Sequence, residues 1–191
     1  MKRFFPLLLA TAVLPTLLMN AQDEAKTEPL KGIEGSKAPA LGVQTWINLP
    51  EGKERLTLYD FPSKVVVIFL FQSTCEASKK REFPILQQLV KEFQGTEDVV
   101  FLAIQTPFQD YTSNSEFMLK PTAEEFDLDI PFGHLAKTKD AYSINVAYET
   151  GGTPWWVVIN KEGVVEFNGF TMNAEIGAEN IRKLVAGEKV E

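Results

Sequence analysis

Three stretches of the chain are continuously apolar and short enough to form strands. Residues 65–71 (VVVIFLF) are all β-branched, aliphatic or aromatic, with no polar alternation. Such a run favours a strand covered on both faces of a mainly parallel sheet. Val99–Ile104 and Trp155–Ile159 have the same character. The pattern therefore predicts one sheet with these three strands buried within it.

A helix is predicted directly after the first buried strand, at Glu76–Phe93. Apolar residues recur there at the three- and four-residue spacing of one helix face, at Phe83, Leu86, Val90 and Phe93. Turn and capping chemistry comes from three polar residues just before it, Gln72, Ser73 and Thr74. Cys75 is thus expected near a helix N-terminus, and Pro84 is expected to kink the helix because it lacks an N–H.

The remaining patterns surround this strand–helix–strand unit, whose crossover should be right-handed with parallel strands. Loose alternation at 43–61 around a Pro50–Gly52 turn predicts a β-hairpin. Further on, short helices are predicted at Ser113–Lys120 and Thr122–Phe126, separated by Pro121. A short strand at Ile130–Leu135 and a short helix at Thr138–Val146 follow.

The C-terminal part contains the clearest hairpin. A Lys161-Glu162-Gly163 turn joins the strand at Trp155–Ile159 to one at Val164–Phe167. Asn173 can cap a final amphipathic helix that ends near Gly187, with four residues directed inward, Ile176, Ile181, Leu184 and Val185. The whole order predicts an α/β domain in which one mixed sheet carries helices on both faces.

The first 21 residues differ from the rest. Lys2 and Arg3 precede an apolar run, Phe4–Met19, with no charge before Asp23, which is the order of a secretory signal. The run is short for a membrane span, which needs about 20 residues, so a cleaved signal is favoured over an uncleaved anchor. The predicted organisation is signal peptide 1–21, flexible leader 22–37, folded domain 38–187 and tail 188–191. The protein is expected to be exported, for example to the periplasm, with no stable span after cleavage.

Charge and residue counts exclude several classes of function. The net charge of −7 and the absence of a basic stripe exclude nucleic acid as a partner. One cysteine cannot form an intramolecular disulfide. His134 is the only histidine, and with no nearby Cys or His partner it makes a poor metal site. We therefore predict neither a metal nor another cofactor.

Several segments together resemble the thioredoxin-like superfamily, specifically exported TlpA-like proteins of the redoxin (AhpC/TSA) type. The similar segments span about residues 38–187: GSKAPAL, WINLPEG, KVVVIFLFQSTCEAS with EFP after it, VVFLAIQT, IPFGH and GGTPWWVVINKEGVVEFNGF. The resemblance implies a thioredoxin-like fold with Cys75 as the nucleophile. It also implies that Thr153-Pro154 is a cis bond and forms the loop on which substrate docks.

This sequence departs from that pattern at three positions. Thr74 stands where Trp precedes the nucleophile, and Ser78 stands where the second cysteine would be, so the motif is CxxS. Phe69 occupies the place of the buried acid found six residues before the nucleophile, so no general base is evident there. Serine cannot resolve a mixed disulfide. The resemblance therefore implies a monothiol reaction in which an external thiol releases the product.

The electrostatic setting of Cys75 is mixed. A helix N-terminus carries about half a positive charge and lowers the pKa of a thiol. Lys79 and Lys80, one turn on, should lower the pKa further, whereas Glu76 should raise it. The sequence thus predicts a reactive thiol, although a cysteine can also be retained for packing alone.

The predicted function is thiol–disulfide exchange with a protein or a low-molecular-weight thiol, in which Thr74, Thr153 and Pro154 contact the substrate. One alternative is a non-catalytic thioredoxin-fold binding or chaperone-like module. Another is a one-cysteine peroxidase, but the peroxiredoxin-type signature fails, with Gln72 at its Thr position and Ile68 at its Pro position. Trp155 and Trp156 must point to opposite faces of their strand. One is expected in the core, and the other either lines the groove or forms a second core layer.

Overall fold

The structure is a computed structural model that describes residue 1, residues 32–136 and residues 144–190. The predicted signal peptide after Met1, most of the predicted leader and the first part of the helix predicted at Thr138–Val146 therefore lie outside the described residues. Within the described ranges, no helix combines the length and apolar character needed to cross a bilayer.

A single six-stranded mixed sheet organises the domain. Its strands are β1 (Thr45–Ile47), β2 (Val65–Phe71), β3 (Val99–Gln105), β4 (Phe132–His134), β5 (Trp155–Ile159) and β6 (Val165–Gly169), in the spatial order β1-β4-β3-β2-β5-β6. Strands β2, β3 and β4 are mutually parallel, whereas β1, β5 and β6 pair in antiparallel fashion with their neighbours. The predicted buried strands are confirmed as three adjacent strands in the middle of this sheet.

The helices lie on both faces of the sheet, as predicted. They are α1 (Phe83–Glu92), α2 (Leu119–Glu125), α3 (Ile144–Ala147) and α4 (Ala174–Val185), with single 3₁₀ turns at Leu58–Asp60 and Glu116–Met118. The helix that follows β2 begins at Glu76 and passes through a π-helical turn, Ser78–Glu82, before it becomes α1. The predicted irregularity near Pro84 therefore takes the form of a widened turn just before the proline.

Two hydrophobic cores sandwich the sheet. One contains Phe69 and Phe71 of β2 packed beneath α1, α2 and α4, and the other contains Ile68 and Leu70 beneath α3 and the N-terminal segment. All seven residues of β2 are buried, which explains the absence of polar alternation in that strand. Each such side chain stabilises the fold by about 1.5–3 kcal/mol through burial.

The predicted N-terminal hairpin does not form. Strand β1 pairs instead with β4, with Thr45 opposite His134, and the chain beyond Gly52 enters the 3₁₀ turn at Leu58–Asp60. That turn is capped by Thr57, whose N–H and hydroxyl both donate to Asp60 Oδ2 at 2.8 Å. Backbone groups that the hairpin would have paired are thus hydrogen-bonded to the distant strand β4 and to the local cap.

Two helix predictions also need correction. Pro121 does not separate two helices, because it is the third residue of α2, where an intrahelical N–H partner is not needed. Ile176 is exposed rather than inward-facing, and the buried face of α4 begins instead at Gly177 and Ala178. A Cβ at Gly177 would lie 2.8 Å from the sulfur of Met172, so a larger residue there would require the Met172 side chain to shift.

The two ends of the domain are the cap of α4 and the segment before Ala38. Asn173 caps α4 as predicted, with its side chain accepting hydrogen bonds from Glu175 N and Ile176 N at 3.0 Å. Residues 33–37, assigned to the leader by their composition, already contact the sheet edge: Gly35 N donates to Val165 O at 2.8 Å. Ordered contacts of the chain therefore begin before Ala38.

Candidate functional site

Cys75 lies at the junction between β2 and the helix that follows. Its N–H donates to Gln72 O at 2.9 Å, which closes the turn, and its carbonyl accepts from Lys79 N at 3.1 Å. Cys75 therefore holds the N-cap position itself, and none of the three polar residues before it caps the helix in its place. The side chain is half-buried. A thiol so placed is accessible and lies at the positive end of a helix.

The cis bond implied by the resemblance is present at Thr153-Pro154. The thiol of Cys75 points at this bond, and its Sγ lies 3.5 Å from Thr153 O. Antiparallel pairing of β2 with β5, in which Leu70 is opposite Trp155, brings these two distant segments together. The predicted nucleophile, Cys75, and the predicted docking loop therefore lie together at the end of the sheet where β2 ends.

Opposing effects set the pKa of the Cys75 thiol. Burial is the largest effect and raises the pKa, while hydrogen bonding from Ser78 and Thr153 and from the backbone N–H of Ala77 lowers it. The lowering effects together exceed the effect of burial, so the pKa lies below its ordinary value. The carbonyl of Thr153 accepts the thiol proton and by itself favours the protonated form. The net result is a thiol more easily ionised than a free cysteine, as thiolate chemistry requires.

Ser78 lies one turn after Cys75 and is completely buried. Its Oγ has no hydrogen-bond partner of regular geometry in the described part of the chain, yet its hydroxyl is close enough to the sulfur to lower the thiol pKa. Ser78 stands at the position that the resemblance assigns to a second cysteine. It can stabilise a thiolate but cannot attack a disulfide.

Comparison with solved structures places this geometry among thioredoxin-like folds. The thioredoxin-like superfamily protein SPOA0173 is 28% identical, with a TM-score of 0.70 over 81% of this chain and 99% of its own. The chain has a thioredoxin-like fold. A thiol-disulfide isomerase from Corynebacterium glutamicum shares the fold at 21% identity, with a TM-score of 0.67 over 78% of this chain and 97% of its own.

A third similar structure is the thioredoxin domain of thiol-disulfide oxidoreductase BVU-2223 from Bacteroides vulgatus. It is 21% identical, with a TM-score of 0.60 over 80% of this chain and 97% of its own. No protein-family model and no curated protein matches the chain significantly. At these identities the similarity of the two named enzymes concerns the fold, so the activity of this thioredoxin-like protein must be argued from its own residues.

The charged residues predicted to change the pKa of Cys75 form ion pairs with one another or with a residue of α2. Lys80 Nζ lies 2.6 Å from Glu76 Oε2, and Lys79 Nζ lies 2.7 Å from Glu125 Oε2. The Glu76–Lys80 pair is exposed, where ion pairs contribute little. The effect of these three residues on the thiol stays a prediction, whereas the groups that act directly on the sulfur are those of Ser78, Thr153 and Ala77.

Asn114 is a site residue that the sequence did not reveal. It is fully buried, its Oδ1 lies 3.2 Å from Thr74 N, and its Nδ2 donates to Thr74 Oγ1 at 2.9 Å and to Asp110 O at 3.1 Å. It therefore anchors the residue that precedes Cys75 to the loop after β3. Forty residues separate the two partners, and no local pattern at Asn114 marks this contact.

Glu82 is a second residue that sequence reasoning missed. It is buried, and its Oε2 accepts from Trp156 Nε1 at 2.8 Å and lies 3.4 Å from Met172 N. The buried acid of this chain therefore lies on the helix, while Phe69 occupies the strand position at which the resemblance would place an acid. A signal existed: Glu82 falls on the apolar stripe with Leu86, four residues away, where a charged residue is unusual.

His134 and the two tryptophans have structural roles. His134 Nδ1 lies 2.9 Å from Gln105 Oε1, and Gln105 Nε2 donates to Ser73 Oγ at 2.6 Å. Burial lowers the pKa of His134 and nearby Glu116 raises it, with a net lowering. Among the described residues no cluster of His, Cys, Asp and Glu could hold a metal.

Trp155 and Trp156 are both fully buried, on opposite faces of the sheet. The interpretation that the second tryptophan forms a second core layer is therefore confirmed.

Proposed function

We propose that the protein is an exported monothiol oxidoreductase in which Cys75 forms mixed disulfides that an external thiol resolves. One observation carries this proposal: the Cys75 sulfur lies at a helix N-terminus and faces the carbonyl of Thr153 at 3.5 Å, and its pKa is below the ordinary value. Thr153 and Pro154 would then supply the surface for the substrate backbone, and the exposed Thr74, next to Cys75, would also contact the substrate.

The chemistry requires one protein thiolate in each step. The Cys75 thiolate attacks one sulfur of a substrate disulfide, forming a bond from Cys75 to that sulfur while the other sulfur leaves as a thiolate. An external thiolate then attacks the mixed disulfide, regenerates the Cys75 thiolate and carries the substrate sulfur away as a new disulfide. Because Cys75 is the only cysteine, no second thiol of the chain can perform the resolving step.

Exposed aromatic residues favour a polypeptide over a small thiol as the partner. Phe170 is 43% exposed and packs on Trp155, next to Pro154, with ring centroids 4.6 Å apart. Phe108 is 47% exposed and follows Thr106, whose N–H donates to Phe71 O at the end of β2. Aromatic side chains at the same sheet edge as Cys75 would contact apolar residues beside a substrate cysteine.

Export is supported by the N-terminal sequence and by the chemistry. Lys2 and Arg3 before an apolar run have the order of a secretory signal. Disulfides persist mainly in oxidising compartments such as the bacterial periplasm, where an exchange protein would find its substrates. Cleavage at residue 21 would release the domain into that compartment.

The proposal is tested by the reactivity of Cys75. Alkylation by iodoacetamide should rise with pH around a midpoint below the value of about 8.5 for a free thiol. Mixed disulfides isolated on Cys75 from the native compartment and identified by mass spectrometry should contain proteins, because a CxxS site cannot release them unaided. A sluggish thiol with a midpoint above that of free cysteine would contradict the proposal.

A matched pair of variants tests the role of the aromatic residues. Phe170→Ser should lower the yield of trapped protein partners, whereas Tyr59→Ser should not, because Tyr59 is 95% exposed and precedes the opposite end of β2. Cys75→Ser separates catalysis from binding. If partner capture through non-covalent contacts and the associated phenotype survive in Cys75→Ser unchanged, the protein is a binding module and the oxidoreductase proposal is wrong.

A further inference from the structure

A cavity lies at the end of the sheet opposite Cys75. Its volume is about 720 Å³, within the range of roughly 300–1,000 Å³ typical of small-molecule sites. It is bordered by the first residues of β2 and the last residues of β5, where Val66 pairs with Ile159. Strand β2 runs from this cavity to the Cys75 turn, so the two features occupy opposite edges of the sheet and do not share residues.

The interior of the cavity is apolar. Four buried residues of the second core close its floor, Leu41, Leu56, Val66 and Ile159, and three half-buried residues form its sides, Val43, Leu58 and Phe61. In the part of the chain that the structure describes, the N-terminal segment and the 3₁₀ turn at Leu58–Asp60, and not a helix, line the cavity above the sheet. Irregular cover leaves space above the sheet that a packed helix would fill.

The rim of the cavity is cationic although the protein is acidic overall. Lys37, Arg55, Lys64 and Lys161 line it together with a single carboxylate, Glu162, while the whole chain carries a net charge of −7. Lys161 is paired with Asp98 at 3.2 Å, and Lys37 Nζ donates to Glu162 O. In the described part of the chain, Arg55 and Lys64 take part in none of the ion pairs.

We propose that this cavity binds a single-chain amphipathic anion, with its alkyl chain on the apolar floor and its head group between Arg55 and Lys64. An acidic peptide fits less well, because the floor strands β2 and β5 are interior strands of the sheet and offer no free edge for an added strand. Charge complementarity at the rim selects an anion, and the recessed apolar floor selects a narrow hydrocarbon chain.

Titration with four probes tests the chemistry of the site, with the two amphipathic anions kept below their critical micelle concentrations. Decanoate and decyl phosphate distinguish a carboxylate from a phosphate head group, decanol lacks the charge, and acetate lacks the chain. At least one of the two anions should bind saturably, about tenfold more tightly than decanol, and acetate should not bind detectably. Amide resonances of Leu56–Phe61 and Lys64 should shift, while those of Cys75 and Thr153 stay unchanged. Raised ionic strength should weaken binding.

Charge variants provide the matched control. The double substitution Arg55→Ala, Lys64→Ala should weaken binding of the anion about tenfold, since each exposed ionic contact is worth up to about 1 kcal/mol. The control Arg81→Ala, Lys91→Ala removes the same two residue types from the exposed surface of the helix after β2 and should leave affinity unchanged. Equal affinity of wild type and the Arg55/Lys64 variant, equal binding of decanol, shifts outside the cavity, or no saturable binding of either anion would each overturn the proposal.

Discussion

At the residue scale, the thiol of Cys75 is governed by groups within one helical turn and one strand. Burial raises its pKa, while Ser78, Thr153 and Ala77 lower it further than burial raises it. The side chain and the backbone N–H of Ser78 both lower the thiol pKa, and both are positioned by the start of the helix. The effect of Thr153 on the pKa depends on the loop before β5. The reactive state of the sulfur is therefore a property of two segments that only the folded protein brings together.

Because the folded-state pKa of Cys75 is lowered, the thiol should contribute to stability in a pH-dependent way. Below the folded pKa both states are protonated and the contribution is absent. It grows as pH rises through the folded pKa and is complete above the unfolded value of about 8.5. Urea unfolding of wild type and Cys75→Ser, compared from about pH 6 to about pH 9, should show the difference in unfolding free energy moving in favour of wild type as pH rises. A constant difference would contradict the lowered pKa.

In the proposed reaction, the side chain at position 78 would decide whether the mixed disulfide persists. Ser78→Ala should move the alkylation midpoint of Cys75 to higher pH, because it removes a hydroxyl that lowers the thiol pKa. Its cost in stability should be small, since the lost Oγ has no regular partner in the described part of the chain. Ser78→Cys should abolish accumulation of mixed disulfides by supplying the resolving thiol.

Ser63→Ala, at an exposed position, is the control for both Ser78 substitutions. It should change neither the alkylation midpoint of Cys75 nor the accumulation of mixed disulfides. Persistence of the mixed disulfides in Ser78→Cys would show that residue 78 cannot reach the bond. In that case the assignment of Ser78 to the resolving position would be wrong.

At the scale of elements, the loop after β3 supports the Cys75 turn. Asn114 hydrogen-bonds both to Thr74 and to Asp110 within its own loop, so it links the loop to the start of the helix. The widened turn at Ser78–Glu82 has a related role, because it directs Glu82 toward Trp156 of β5. Both contacts fix the helix start relative to the sheet.

Asn114→Ala should destabilise the protein by about 1–3 kcal/mol, because a buried side chain loses all of its hydrogen bonds and leaves its partners unpaired. Amide hydrogen exchange at Thr74 and Cys75 should accelerate relative to the core of β2. Asn180→Ala, a half-buried position on α4, is the control and should alter neither measurement at the Cys75 turn. Unchanged exchange in Asn114→Ala would mean that the turn is held by β2 and the helix alone.

At the scale of the whole molecule, stability comes from two cores separated by the sheet. Phe83 lies in the first core, where its ring contacts Phe69 at 4.9 Å, Phe71 at 5.0 Å and Phe126 at 4.1 Å between centroids. It thereby joins α1 to β2 and to the end of α2. With one cysteine in the chain, this packing stabilises the domain without an intramolecular disulfide.

Phe83→Ala should lower the free energy of unfolding by about 3–5 kcal/mol, through lost burial and the cavity left among three rings. Phe117→Ala is the matched control, since Phe117 is 81% exposed, and it should change stability by no more than about 0.5 kcal/mol. Denaturant unfolding followed by tryptophan fluorescence measures both. A small loss for Phe83→Ala would imply that α1 repacks to fill the space.

The sequence by itself determined the elements whose signals are local. The continuous apolar run of β2, the turn before β6, the Asn173 cap and the helix start at Cys75 each depend on neighbouring residues, and each is present as predicted. The position of the cis bond and the thioredoxin-like fold followed from resemblance across residues 38–187. Local propensity and side-chain period suffice for such features because the interactions that stabilise them span only a few residues.

Only the tertiary structure decided which distant segments meet. Strand β1 pairs with β4 instead of forming a local hairpin. The hydrogen bond from Trp156 to Glu82 joins residues that are 74 positions apart in the sequence, and the hydrogen bond between Thr74 and Asn114 joins residues that are 40 positions apart. The cavity opposite Cys75 likewise exists only because irregular segments cover that end of the sheet. Such contacts depend on the paths of the connecting loops. Loop sequences carry little periodic signal, so the local sequence pattern does not predict these contacts.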